Sequence, residues 1–185
     1  MIILENSNSD NSTVTSSHYH IISLSHYHII TMITLKPGDK APSFSTTDSF
    51  GKPVSLKDFK GKKLVIFFYP EDDSPTCTIE ACNLRDNYPL LKSKGFEVIG
   101  VSPDGPELKN QFISKFSLPF TLIPDPEHKV MDKFGAWSKK KLFGHEFMGV
   151  LRTTFVIGED GTILKIFLKP RNKAHAEQIL SNVKI

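Results

Sequence analysis

Apolar positions along this chain follow two rhythms. Leu64-Val65-Ile66-Phe67-Phe68-Tyr69 is apolar without interruption. A run of that length, rich in β-branched and aromatic residues, predicts a strand buried on both faces. Residues 96–102 form a second such run and 120–123 a shorter one. Between the first two, Ser74-Pro75 opens a helical pattern that reaches about Lys94 and is closed by Gly95. Ser74 suits an N-cap and Pro75 the first helical position. Pro89 predicts a kink or break near Tyr88, because proline lacks the N–H a helix interior needs. Residues 106–116 predict an amphipathic helix with Leu108, Phe112, Ile113 and Phe116 on one face. A short helix follows over 127–134. Residues 43–56 alternate around a central turn and predict a β-hairpin. Residues 152–157 and 162–167 flank Gly158-Glu159-Asp160-Gly161, a second hairpin, and 173–183 predicts a closing helix.

This order predicts an α/β domain: a central mixed sheet with helices on both faces, preceded by an N-terminal β-hairpin. It is the thioredoxin-like order. A length of 185 residues fits one domain, and 39% hydrophobic with 23% charged residues is ordinary for a soluble globular chain. A net charge of +3 is too weak for a nucleic-acid surface. The short lysine runs Lys62-Lys63 and Lys139-Lys140-Lys141 read as solvated surface. No stretch approaches the ~18 apolar residues of a membrane span. Neither nucleic acid nor membrane is an expected partner.

Residues 1–31 differ from the rest. They contain no Lys or Arg, and Ser-His-Tyr-His-Ile-Ile occurs at 17–22 and again at 25–30. The composition predicts a disordered, low-complexity tail, with the domain over 32–185. It lacks the positive start of a secretory signal and the arginines of a transit peptide, so a cytoplasmic location is expected. The pairs His18/His20 and His26/His28 would each share a face of an extended chain and could grip a metal; the bland tail reading is preferred, and no metal is expected. Met32 opens Met-Ile-Thr-Leu-Lys-Pro-Gly-Asp-Lys-Ala-Pro, which reads like a domain start. We expect translation to begin there, a point that intact mass decides.

The candidate chemistry is a thiol. Cys77 and Cys82 are the only cysteines, with four residues between them. Cys77 follows a buried strand and lies in the first turn of a helix. Free N–H groups and the positive dipole end there favour thiolate over thiol. A helix end typically supplies only ~0.3–2 kcal/mol. That is too little to hold a thiolate at neutral pH, so a cation from elsewhere is required. Residues five apart on a regular helix have Cα atoms roughly 8.7 Å apart, whereas a disulfide needs less than about 7 Å. The two cysteines can bond only if the helix unwinds. Cys82 is otherwise a small apolar residue on the inner face.

The segment Tyr69-Pro70-Glu71-Asp72-Asp73-Ser74-Pro75-Thr76-Cys77 resembles the peroxiredoxin pattern Pro-x-x-x-Thr/Ser-x-x-Cys. Its continuation, Thr78-x-x-Ala81-Cys82-x-x-Arg85-Asp86, resembles the bacterioferritin comigratory protein, or peroxiredoxin Q, branch. Phe134-Gly135-Ala136-Trp137, the stretch Gly149-Val150-Leu151-Arg152-Thr153-Thr154-Phe155 and Lys173-Ala174-His175-Ala176-Glu177 extend the match in order, from about Leu35 to Leu180. The resemblance implies a peroxiredoxin-type thioredoxin-like fold and a thiol peroxidase acting on hydrogen peroxide and organic hydroperoxides. It makes Cys77 the peroxidatic nucleophile and Arg152 the required cation. Pro70 would shield the site from water, and Ser74 would give its hydroxyl to the thiolate and peroxide oxygens. The N–H groups of Thr76 and Cys77 would complete the oxygen cradle. Cys82 would resolve the sulfenic acid as an intramolecular disulfide, recycled by thioredoxin or a similar dithiol. A monomer is expected, because no C-terminal cysteine offers a dimer-linked scheme.

Two positions depart from the branch. Thr76 stands where Gly is common and could narrow access, and Ser74 replaces the usual Thr. Arg85 is expected to pair with Asp86 or Glu80 on the helix surface, outside the catalytic set. Trp137 reads as a packing residue. His128, His145 and His175 are scattered, without ligand spacing to a cysteine. The competing readings are a thioredoxin-class disulfide oxidoreductase, disfavoured by the spacing because that class uses Cys-x-x-Cys, and a redox-sensing binding module.

Overall fold

The computed structural model describes residues 33–142 and 145–183. The two halves of the repeated histidine segment, Met32 and the proposed tail lie outside the described residues. Strand β3 (Lys63–Phe68) is the axis of the molecule. It pairs in parallel with β4 (Phe96–Ser102) and antiparallel with β8 (Thr153–Ile157). With β5 (Thr121–Pro124) and β9 (Ile163–Phe167) the sheet order is β5-β4-β3-β8-β9. The expected mixed sheet is present. The continuous apolar run of β3 has a direct cause, since both of its faces are covered. Val65, Phe67 and Tyr69 join a core with Cys77, Ala81, Leu84, Phe112 and Ile179. Leu64, Ile66 and Phe68 join a second core with Val130, Met131, Phe134 and Val150. Gly100 of β4 lets Phe67 and Leu122 pack closely, because a Cβ there would stand 2.7 Å from side-chain carbons of both.

The first core is covered by α1 (Pro75–Asp86), α2 (Tyr88–Ser93), α3 (Pro106–Phe116) and α5 (His175–Asn182); the second by α4 (Lys129–Phe134). The N-terminal hairpin is β1 (Ser45–Thr47) with β2 (Pro53–Ser55). Its turn is held by Asp48, whose Oδ1 accepts the N–H groups of Phe50 and Lys52 at 2.9 Å. The break expected near Tyr88 falls at Asn87, between α1 and α2. Pro89 enforces it, having no N–H to give and a ring that crowds the carbonyl four residues earlier.

Two expectations require correction. An additional hairpin, β6 (Trp137–Leu142) with β7 (His145–Val150), spans the lysine run read as solvated surface. Lys139 is exposed, but Lys140 is half-buried and buried Ser138 stands beside them. Three consecutive lysines hide the period-2 alternation that would have announced a strand. In α3 the inward stripe is shifted: Leu108 is 53% exposed, whereas Lys109 is fully buried beside Phe112. Lys109 tolerates this because its amine is surrounded by partners. Arg85 pairs with Asp86 at 2.8 Å, the first of its two expected partners, and also donates to the Phe116 carbonyl; Glu80 is buried on a different face. Among the described residues, no helix is long and apolar enough to cross a membrane.

Candidate active site

The chain leaves β3 at Phe68, and Tyr69 remains fully buried. A short loop then delivers α1. Asp72 fixes that loop from within: Tyr69 donates its hydroxyl hydrogen to Asp72 Oδ1 at 2.6 Å, and Lys109 Nζ donates to Asp72 Oδ2 at 3.3 Å. Lys109 also donates to Ser102 Oγ and, at 3.3 Å, to the Tyr69 oxygen. The Asp72 N–H donates to Asp104 at 2.8 Å. Burial pulls the Lys109 ammonium below its ordinary pKa, and the charge of Asp72 works against that. Asp73 turns the chain through the left-handed region, at φ 57°, into Ser74.

Ser74 occupies the N-cap position with extended backbone, and Pro75 is the first helical residue, both as expected. The side chain of Ser74 does not cap. Its hydroxyl donates to the Glu71 carbonyl at 3.2 Å, while its own carbonyl accepts the Thr78 N–H at 2.9 Å. Cys77 is the third residue of α1, on an inward stripe with Glu80, Ala81 and Leu84. Its side chain is 1% exposed.

The cation demanded by the helix argument is Arg152. Its Nη2 donates to Cys77 Sγ at 3.0 Å, across 75 residues of sequence. The sheet register explains the meeting. Phe68 pairs with Thr153, so the residue before Thr153 lies beside the loop that follows β3. The other guanidinium nitrogen, Nη1, donates to Glu80 Oε2 at 2.5 Å. Burial works against the charge on Arg152, yet Glu80, and after it Cys77, hold its pKa above the ordinary value.

Glu80 and His175 were not foreseen in this site. Glu80 is fully buried, and burial raises its carboxyl to about 7, against the pull of Arg152. His175 is also fully buried; its Nε2 meets Thr154 Oγ1 at 2.8 Å and lies 3.8 Å from Glu80 Oε1. Burial lowers the imidazole to about 4, so it is neutral at pH 7 and its contact with Glu80 is not an ion pair. One signal could have found Glu80. It stands three residues after Cys77, hence on the same helix face and within reach of the same cation.

The remaining expected residues lie around this centre. Cys82 is half-buried on the intact helix, and both cysteines are free thiols. Pro70 is exposed just past the end of β3. Thr76 is exposed and, with Ile79, Arg171, Asn172, Lys173 and Ala174, lines a groove beside the thiol-bearing turn. Trp137 is half-buried and stacks on His128, with ring centroids 3.6 Å apart, so packing is its role here. Among the described residues, no group of three His, Cys, Asp or Glu side chains is placed to hold a metal ion.

A thiol at a helix start, bridged by arginine to a buried carboxylate, can be compared with known proteins. Residues 37–166 match the AhpC/TSA family. The chain is 45% identical over 150 residues to a putative peroxiredoxin bcp of Buchnera aphidicola, covering 81% of this chain and 95% of that protein. It is 41% identical over 152 residues to peroxiredoxin Bcp of Bacillus subtilis, covering 82% and 97%. Peroxidoxin BcpB of Mycobacterium tuberculosis superposes with a TM-score of 0.71 at 31% identity, over 80% of this chain and 96% of that one. The chain therefore belongs to the AhpC/TSA family. Within it, the branch is that of the Bcp, or Q-type, peroxiredoxins, and the enzyme class is thiol peroxidase. The fold is the peroxiredoxin-type thioredoxin-like fold expected from the order of elements.

Proposed function

We propose that Cys77 reduces hydrogen peroxide and organic hydroperoxides, that Cys82 resolves the product, and that a thioredoxin-type dithiol recycles the pair. One observation carries this reading: the 3.0 Å contact between Arg152 Nη2 and Cys77 Sγ at the start of α1. The contact adds a full positive charge to the partial charge of the helix end.

The Cys77 thiolate attacks the terminal oxygen of the hydroperoxide. An S–O bond forms, the O–O bond breaks, and Cys77 becomes a sulfenic acid. The alkoxide or hydroxide that leaves takes up a proton. The unpaired N–H groups of Thr76 and Cys77, together with Arg152, face the developing charge, and such preformed donors act without reorganisation. Ser74, released from Glu71, adds its hydroxyl. Pro70 keeps water from the thiol side of the loop. Cys82 then displaces hydroxide from the sulfenic sulfur to give the disulfide and water, and an external dithiol supplies the two electrons that restore both thiols. Peroxide reduction and resolution both use groups of one chain, in keeping with a monomer acting in the cytoplasm; only the recycling electrons come from outside. A solved relative, the Xanthomonas campestris bacterioferritin comigratory protein, is described as having alkyl peroxide reduction activity.

Peroxide consumption coupled to thioredoxin oxidation tests the reading. Wild type is expected to turn over, Cys77→Ser to be inactive, and Cys82→Ser to lose the thioredoxin-dependent cycle while still consuming one equivalent. Full thioredoxin-dependent turnover by Cys82→Ser would remove the resolving role. No consumption by folded wild type with intact thiols would return the disulfide oxidoreductase or binding-module readings.

A further inference from the structure

Helix α1 is held on both sides of the cysteine pair, but by different means. Ahead of Cys77, the loop is tied down by the Lys109–Asp72 pair, whose side chains are 0% and 3% exposed, and the thiol itself is held by Arg152. Behind Cys82 the ties are nearer to solvent. Asn83 joins α1 to α5 through three hydrogen bonds. Its Oδ1 accepts the Ala176 N–H at 2.9 Å, and its Nδ2 donates to the Lys173 carbonyl and to Glu177 Oε2, both at 3.2 Å. Asn83 is half-buried, and Lys173 and Glu177 are exposed. Ala176 lies in the first turn of α5, whose N–H groups have no partner within their own helix. Asn83 therefore caps α5 from a neighbouring helix.

A Cys77–Cys82 bond cannot form on an intact α1. One side must leave its place. Parting Lys109 from Asp72 would strand two charges away from water, which is costly. Parting Asn83 from α5 separates a neutral carboxamide from the exposed Lys173 carbonyl and Glu177 carboxylate, which water can satisfy, and leaves one buried donor, the Ala176 N–H. The helix also ends at Asn87, so its second half has little further chain to unwind. For Cys82 to move toward Cys77, Asn83, its chain neighbour, must first leave α5.

We propose that Asn83 is a catch that sets the rate of disulfide formation. While its carboxamide spans α1 and α5, Cys82 is kept from Cys77. When it lets go, the Cys82 thiolate displaces hydroxide from the sulfenic sulfur: an S–S bond forms, the S–O bond breaks, and hydroxide leaves as water after taking up a proton. This rests on the resolving role given to Cys82 above. The catch has a second effect. A longer-lived sulfenic acid is exposed to another peroxide, which carries it to sulfinic acid. Asn83 thus favours over-oxidation. Release also uncaps α5, so the redox state of α1 is transmitted to α5.

The test is Asn83→Ala in the full chain, treated with one equivalent of hydrogen peroxide, quenched at intervals and weighed. Sulfenic acid should form at the wild-type rate. The disulfide should form at least about fivefold faster, as loss of one net hydrogen bond or more implies. The sulfinic fraction at high peroxide should fall correspondingly. Disulfide formation that is unchanged or slower overturns the catch. If Asn83→Ala does not fold, Glu177→Ala removes one bond from the exposed side of α5 and should speed the same step; an unchanged rate there also overturns it. In wild type, the Ala176 amide should resist hydrogen exchange when reduced and lose that protection in the disulfide form. Retained protection counts against the catch. A wild type that gains one oxygen but never loses two hydrogens removes the role of Cys82 itself, and the catch with it.

Discussion

Two ion pairs flank the turn that carries Cys77. Lys109–Asp72 stands ahead of it and Arg152–Glu80 behind it. Each sets a cation against a buried carboxylate. They differ in what remains available. Lys109 directs its amine to Asp72, Ser102 and Tyr69, three partners for three donors. Arg152 gives one nitrogen to Glu80 and the other to the thiol, and its side chain is still 21% exposed. The first pair is closed and can only hold a loop. The second is open on one side and can meet a substrate. A planar guanidinium permits this division of labour, whereas an ammonium offers no comparable fork.

The contrast can be broken most forcefully at Lys109. Lys109→Met leaves Asp72 buried without its cation and should cost about 3–5 kcal/mol in urea unfolding. Adding Asp72→Asn should recover part of that loss. A Lys109→Met protein as stable as wild type would mean that the closed pair is not structural. At the open pair, Arg152→Met should lower peroxidase kcat/KM by about 10²–10³, the usual consequence of removing one preformed donor to developing charge. Its stability should change far less than its rate, since Glu80 can meet the loss by binding a proton.

Proton linkage sharpens the same comparison. The Glu80 carboxyl rises from 4.5 to about 7 on folding, so the native state binds the proton more tightly. Stability from this group falls as pH climbs from about 4.5 to about 7. His175 drops from 6.5 to about 4, so the unfolded state binds the proton more tightly. Its contribution is lost as pH falls through that window. In wild type the two slopes oppose each other. Glu80→Gln should leave the His175 slope, with stability increasing from about pH 4 to 6.5. His175→Asn should leave the opposite slope, with stability decreasing from about pH 4.5 to 7. Urea midpoints taken across pH check both, and slopes of the same sign in the two variants would contradict the assignment. The smallest effect belongs to Lys115, which meets Asp73 at 2.6 Å with both side chains roughly half exposed. Lys115→Ala should shift stability by only about 0.2–1 kcal/mol, as solvent screens the pair.

Much of the scaffold was legible in the sequence because the driving force is written as periodicity. The unbroken run of β3, the Ser74-Pro75 start of α1 and the break imposed by Pro89 each reflect a single local rule. Arg152 was legible as a need before it was visible as a contact, since a helix end alone is too weak a source of positive charge. Lys109, Glu80 and His175 were not legible, for one shared reason. A polar residue in an amphipathic pattern is read as facing water, and only tertiary partners reveal that it faces inward. The β6–β7 hairpin was obscured likewise, by lysines whose backbones pair although their side chains resemble a loop.

The pairing of Phe68 with Thr153 has a consequence for the order in which the protein comes into being. Cys77 belongs to the first half of the chain, and its cation arrives 75 residues later. During synthesis the thiol is made well before Arg152 leaves the ribosome. Until β8 docks on β3, no guanidinium is held against the sulfur. Contacts of such long sequence separation form late, since the loop between them must first be closed. On the proposed mechanism the peroxide chemistry is therefore armed by completion of the sheet, and a chain in which β8 has not docked has no Arg152 at its thiol.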